Sequence, residues 1–187
     1  METDESLASR VQQGDDQALG ELIERYEKKL LRYGSRFLGS QGEDAVVQAV
    51  QDIFIRVYQN IASFDTRQRF SPWIYRVAHN TFVSILRQRT RQPVYGIDFD
   101  SFFPHPVHED SERREKEHAE IRVVVEAALS SLSAAHREII VLYYFEELSY
   151  QEIADVLRIP VSTVGVRLSR ARERLKRILP ESSELPL

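Results

Sequence analysis

Residues 149–177 read SYQEIADVLRIPVSTVGVRLSRARERLKR, and this stretch decides the fold class. Ser149 followed three positions later by Glu152 is a capping box, in which a hydroxyl and a carboxylate satisfy two orphan backbone donors at a helix start. Ile153, Ala154, Val156 and Leu157 then supply a short apolar face. Arg158-Ile159-Pro160 breaks this helix, and Pro160 suits the first turn of the next one, whose amides have no helical partner. Val164, Leu168, Ala171 and Leu175 recur at helical offsets as one buried stripe. Residues 158–177 hold seven Lys and Arg against one acid, Glu173. Two short helices joined by a tight turn, the second strongly basic, describe a helix-turn-helix whose second helix enters a DNA major groove. A solvated charged face is the plainer account of a charge run, but motif and basic patch together favour DNA.

The rest of the chain brackets this unit. A length of 187 residues is comfortable for two small helical domains, and 42% hydrophobic with 29% charged residues is ordinary for a soluble globular protein. The net charge of −4 argues against a non-specific nucleic-acid coater. Its distribution is uneven: residues 66–91 hold six Arg and no acid, whereas 98–120 hold eight acids against three bases. Two basic blocks around an acidic middle suggest two nucleic-acid contacts with something different between them. The absence of cysteine excludes disulfide and thiol chemistry. The start, Met1 to Glu5, is polar and acidic, unlike a signal peptide, and no run approaches the ~18 apolar residues of a membrane span. A cytoplasmic protein is expected.

In chain order, Leu7 and Val11 hint at a short lead-in helix that Gly14-Asp15-Asp16 ends. Leu19, Leu22, Ile23, Tyr26, Leu30 and Phe37 keep helical spacing up to Gly39. A third helix, about 43–61, buries Val46, Val50, Ile53, Phe54, Val57 and Ile61, and its opposite stripe is Gln48, Gln51, Asp52, Ile55 and Gln59. That stripe reads equally as scattered surface residues or as a face for a partner. Ser63 to Pro72 interleaves aromatics with arginines, which suits single-stranded nucleic acid, although Phe64, Phe70 and Trp73 also read as core. Trp73, at a helix start between apolar neighbours, favours core. Trp73 to Arg91 forms the next helix. Residues 92–118 lose periodicity and read as a flexible acidic linker, in which His105 and His108 are a weak metal signal. Helices resume at Ala119 to Leu132 and Ser133 to Phe145. The expected fold is all-α: two small helical domains, the C-terminal one a helix-turn-helix, joined by the linker. No cofactor, metal or catalytic constellation is expected, and the chain does not read as an enzyme.

These blocks resemble those of the extracytoplasmic-function (ECF) RNA polymerase sigma factors. Asp16 to Leu22 with Arg25-Tyr26, Gln51 to Tyr58, Phe70 to Asn80 with Arg87, and Leu148 to Ala154 with Thr163-Val164 and Arg170-Ala171-Arg172 follow the family's order and spacing. The resemblance implies a sigma region 2 over 1–92, an acidic linker over 93–118 lying in the polymerase's RNA path, and a region 4 over 119–187. It implies core-polymerase docking through Gln48, Gln51, Asp52 and Ile55 against the clamp helices, with the flap a further contact. Phe64, Arg67, Arg69, Phe70, Arg76, Asn80 and Arg87 would hold the promoter −10 element. Ser162, Thr163, Val166, Arg167 and Arg170 would read the −35 element, while Arg172 and Arg174 position its phosphates. Core polymerase, promoter DNA and an anti-sigma factor are the implied partners, with no membrane insertion. Departures from the family pattern are Gly165-Val166 where Lys-Ser is common, Arg158 where the turn usually has Gly, Ser84 for an Asp, and Gln48 for an acid. A regulator of the LuxR type shares the helix-turn-helix but leaves residues 15–91 unexplained. A helical adaptor that binds only protein sits poorly with six unopposed Arg.

Overall fold

The computed structural model describes residues 2–38, 42–90 and 124–179, with the backbone alone for 87–90. The acidic segment 93–118, its histidines and the side chain of Arg87 lie outside the described residues. Within them every regular element is a helix. The order is α1 (Asp4–Gln12), α2 (Asp16–Leu38), α3 (Glu43–Asn60) continued by a 3₁₀ turn (Ile61–Ser63), and α4 (Phe70–Thr90). Then come α5 (124–130), α6 (Ala134–Ile140) running into a π-helical turn (Val141–Phe145), α7 (Tyr150–Leu157) and α8 (Val161–Ile178).

The N-terminal half is a bundle of α1 to α4. Buried Leu22, Tyr26, Leu30 and Tyr33 of α2 face Val46, Val50, Ile53 and Val57 of α3 and Ile74, Tyr75, Ala78 and Phe82 of α4. The lead-in helix is integral, because Leu7, Ala8 and Val11 are core residues. It also ties down the loop between α3 and α4. The Gln12 amide donates to the carbonyls of Ile61 (2.7 Å) and Phe64 (2.8 Å), and the Glu5 carboxylate accepts the Phe70 N–H at 2.9 Å. This last bond satisfies an orphan donor at the start of α4 from a distant helix. It explains why α4 begins at Phe70, three residues before the expected Trp73.

The C-terminal half packs α6 and α7 against the apolar stripe of α8, where Val164, Leu168, Ala171 and Leu175 are all buried. The capping box forms as expected: Glu152 N–H donates to Ser149 Oγ, and Ser149 N–H to Glu152 Oε2 at 2.8 Å. Pro160 sits at the N-cap of α8, one position earlier than read from sequence. Arg158 closes α7 in the left-handed region (φ 52°, ψ 48°), the conformation its turn demanded. A side chain there costs about 1–2 kcal/mol that glycine avoids, set against glycine's extra unfolded-state freedom. Arg158→Gly is therefore expected to stabilise the chain by about 1 kcal/mol, read as a thermal midpoint raised by roughly 2–4 °C.

The two halves pack together. α4 and α7 lie in contact, as do α2 and α6. Tyr33, wholly buried, donates its hydroxyl to Glu138 at 2.6 Å, and His79 Nδ1 meets the same carboxylate oxygen at 2.6 Å. Arg36 pairs with Glu126 at 2.7 Å, and its guanidinium lies 3.9 Å from the Phe145 ring centroid.

Candidate nucleic-acid and partner interfaces

The outer stripe of α3 is free among the described residues. Gln48, Gln51 and Asp52 are exposed, and Ile55 and Tyr58 are each more than half exposed. Large apolar groups at that exposure, on a helix whose other face is core, form a surface suited to another helix. Tyr58 ends the block Gln51 to Tyr58 but lies outside the four residues expected to dock. Its place on the same stripe, three residues past Ile55, is the signal that was available.

The segment 64–70 joins α3 to α4 and does not offer its rings to solvent. Phe64 and Phe70 are buried, and they pack with half-buried Trp73 at centroid distances of 5.3–5.5 Å. This corrects the expectation that Phe64 and Phe70 present stacking faces to nucleic acid. They form an aromatic floor instead, as the alternative reading held, and Trp73 packs against the core. The arginines stay outside. Arg67 is exposed and forks onto Asp65 with two bonds of 2.8 Å. The bonds from Arg67 hold the Asp65 carboxyl down at about 2, below the usual aspartate range. Arg69 is exposed as well, and Arg76 is half-buried one helical turn beyond Trp73.

Asn80 is exposed on α4 and lines a hollow of about 270 Å³ with Arg56 and Asn60 of α3 and Val77, Thr81 and Ser84 of α4. An open, polar hollow with an amide, a guanidinium and hydroxyls has donors and acceptors for a base edge. Arg56 falls within the block Gln51 to Tyr58, and no local pattern sets it or Asn60 beside Asn80. Their pairing with Asn80 exists only through the packing of α3 on α4.

On α8, Ser162, Arg170 and Arg174 are exposed, Val166 is half exposed, and Thr163 and Arg167 are partly covered. They lie off the buried stripe, as expected of a reading face. Burial, then the charges of Arg174, Arg167 and Arg170, hold His136 of α6 below the ordinary histidine range. A Cβ built at Gly165 would stand 3.6 Å from the Tyr150 ring, an ordinary contact, so space alone does not demand glycine. Arg172 is placed differently from its neighbours. It donates to the Tyr144 hydroxyl at 2.8 Å and lies 5.4 Å from the ring centroids of both Tyr143 and Tyr144. It anchors α8 to its own domain, a contact that cation–π attraction strengthens.

No helix among the described residues is long and apolar enough to cross a membrane, and no cluster of metal-ligating side chains occurs among them.

Comparison with known proteins identifies the family. Residues 22–92 match the family model of sigma-70 region 2, and residues 122–175 match that of sigma-70 region 4. The chain is 33% identical over 178 residues to the ECF RNA polymerase sigma factor SigW of Bacillus subtilis, covering 91% of this chain and 93% of that one. It is 35% identical over 179 residues to the ECF RNA polymerase sigma-E factor of Escherichia coli, covering 92% of each. Its fold is similar to that of the sigma factor RpoE of Bartonella quintana, solved with the anti-sigma factor NepR. The TM-score is 0.71 at 26% identity, over 88% of this chain and 98% of that one. Two sigma-70 regions in order, and this likeness over nearly the whole length, make the chain a member of the ECF family of RNA polymerase sigma factors, which direct transcription initiation at promoters.

Proposed function

We propose that the protein is a dissociable sigma subunit that acts in the cytoplasm, docks on core polymerase through α3, and holds a two-part promoter with its two halves. Region 2 takes residues 1–92 and region 4 residues 119–187. Gln48, Gln51, Asp52 and Ile55 make the clamp contact. Arg67, Arg69, Arg76, Asn80 and Arg87 hold the −10 strand, and Ser162, Thr163, Val166, Arg167, Arg170 and Arg174 meet the −35 duplex. An anti-sigma factor is a further implied partner, as NepR is of RpoE. The protein carries no catalytic step of its own.

What supports this reading most is one chain with two separate candidate nucleic-acid faces. The hollow that joins Asn80 to Arg56 lies on one half, and the arginines of α8 lie on the other. Bases extruded from a duplex need a pocket, since unstacking costs a few kcal/mol per step.

The test is run-off transcription with the cognate core polymerase, on genomic fragments that include the region upstream of this protein's own gene. New start sites that appear with the protein and fall at least tenfold with Asp52→Ala or Asn80→Ala are expected. No stimulation of the core, with duplex binding by the full chain alone, would replace this reading with that of a regulator.

A further inference from the structure

The C-terminal half carries a group of cations that no acid opposes. Arg167, Arg170 and Arg174 follow one another at helical offsets on α8, beside the buried stripe. None of the three has a hydrogen-bond or ion-pair partner among the described residues. Like charges at this spacing repel, so the face is unfavourable until an anion meets it. α6 packs against α8 and brings His136 up to the same three charges.

His136 is half-buried, and every charge that bears on it is positive. From α8 these are Arg174, Arg167 and Arg170, while Glu173, the one acid of that helix, is not among them. On α6 itself Arg137 is turned away, donating to the carbonyls of Leu129, Ser130, Leu132 and Arg36, and Glu138 is spent on Tyr33 and His79. The other elements packed on α6 send it no charge: Arg36 of α2 is paired with Glu126, and Tyr143 and Tyr144 of the π-helical turn hold Arg172. His136 Nδ1 lies 3.0 Å from the Ser133 hydroxyl, which orients the ring and leaves Nε2 without a partner among the described residues. Burial and three cations favour the neutral imidazole here, and histidine is the side chain whose charge such surroundings can switch near neutral pH.

We propose that His136 is a further, proton-linked contact to the −35 duplex: its Nε2 meets a backbone phosphate beside Arg167, Arg170 and Arg174, and the ring takes up a proton from solvent as the phosphate arrives. The proposal rests on the assignment of those arginines to that duplex. A phosphodiester brings a fixed negative charge among them. It offsets the repulsion that keeps the ring neutral and accepts a charge-assisted hydrogen bond from the imidazolium. Proton and phosphate therefore favour each other, and the coupling is reciprocal. The sign follows. The ring holds its proton more tightly in the complex than in the free chain. Duplex affinity thus rises as pH falls through the value of the complex, and levels off below that of the free chain. Each unit between the two values is worth about tenfold in affinity.

The experiment uses holoenzyme, the full chain on its cognate core polymerase, with a fluorescein-labelled duplex of a promoter found in the run-off assay. Anisotropy gives the affinity at several salt concentrations, at about pH 6 and about pH 8, on either side of the ordinary histidine value. His136→Gln keeps a polar side chain without the charge, and comparison with wild type at each pH cancels titrations of the polymerase itself. Wild type is expected to bind about three- to tenfold more tightly than His136→Gln near pH 6, and within about twofold of it near pH 8. Its salt slope should be steeper by about 0.9 near pH 6 alone, the signature of one more neutralised phosphate, which a packing defect would not produce. An affinity ratio that does not change with pH, or equal salt slopes near pH 6, overturns the proposal and leaves the −35 assignment standing. Failure of that assignment shows separately: Arg170→Gln with Arg174→Gln would then leave promoter binding and run-off transcription at wild-type levels.

Discussion

Phe82→Ala is expected to lower the stability of the chain by about 3–5 kcal/mol, the usual cost of emptying a phenylalanine site in a close-packed core. Phe82 is wholly buried where α4 crosses α2, with its ring 5.4 Å from that of Tyr33 and 5.9 Å from that of Phe37. The backbone beneath it is Gly34. A Cβ built there would stand 2.9 Å from Phe82 Cζ and 2.9 Å from Val46 Cγ1. Glycine in mid-helix normally costs roughly 1 kcal/mol against alanine, so Gly34 is retained against helix propensity because three helices meet on it. Gly34→Ala should therefore destabilise by about 1–3 kcal/mol through overpacking, opposite in sign to the propensity effect. Combining it with Phe82→Leu should cost less than the two single changes added. Urea unfolding of the four proteins measures this coupling, and strict additivity would show that the two residues do not share one packing site.

Glu138→Ala is expected to loosen the union of the two halves by about 3 kcal/mol or more, since two hydrogen bonds to one carboxylate are lost at about 1.5–3 kcal/mol each. One carboxylate oxygen of Glu138 holds both the Tyr33 hydroxyl and His79 Nδ1, and Glu138 is only 7% exposed. Its loss strands the Tyr33 hydroxyl in a wholly buried site. Glu138→Gln keeps an oxygen for Tyr33 and should lose less. Hydrogen exchange reads the difference: amides of α6 and the facing turns of α4 should lose at least about 100-fold of their protection in Glu138→Ala, since each 1.4 kcal/mol is tenfold. Unchanged protection would mean that Glu138 does not hold the halves together. Burial also keeps Glu146 above the usual carboxylate range and, with the Glu146 charge next in effect, Tyr75 above the usual phenol range. The folded, packed form thus favours protonated Glu146. Its contribution is fully present below the usual carboxylate range and is lost as pH rises through its raised value.

Much of the chain was legible because it was periodic. The stripe of Val164, Leu168, Ala171 and Leu175, the Ser149–Glu152 box and the outer face of α3 are local patterns, set by 3.6 residues per turn and by the chemistry of helix ends. All-helical architecture and a helix-turn-helix followed from them. The left-handed turn at Arg158 was legible as a conflict between a turn that wants glycine and a residue that is not one. Other features depended on chain segments far apart in sequence. Whether Phe64 and Phe70 were platform or core was decided by α1, whose Gln12 and Glu5 tie the ends of their loop to the bundle. The hollow around Asn80 needed α3 laid beside α4, and the role of Arg172 needed Tyr143 and Tyr144 beneath it. The meeting of Arg69 with Glu152, 83 residues away, has no sequence signature at all. Periodicity and capping are written within one helix. Which charge meets which carboxylate is settled only when the helices pack.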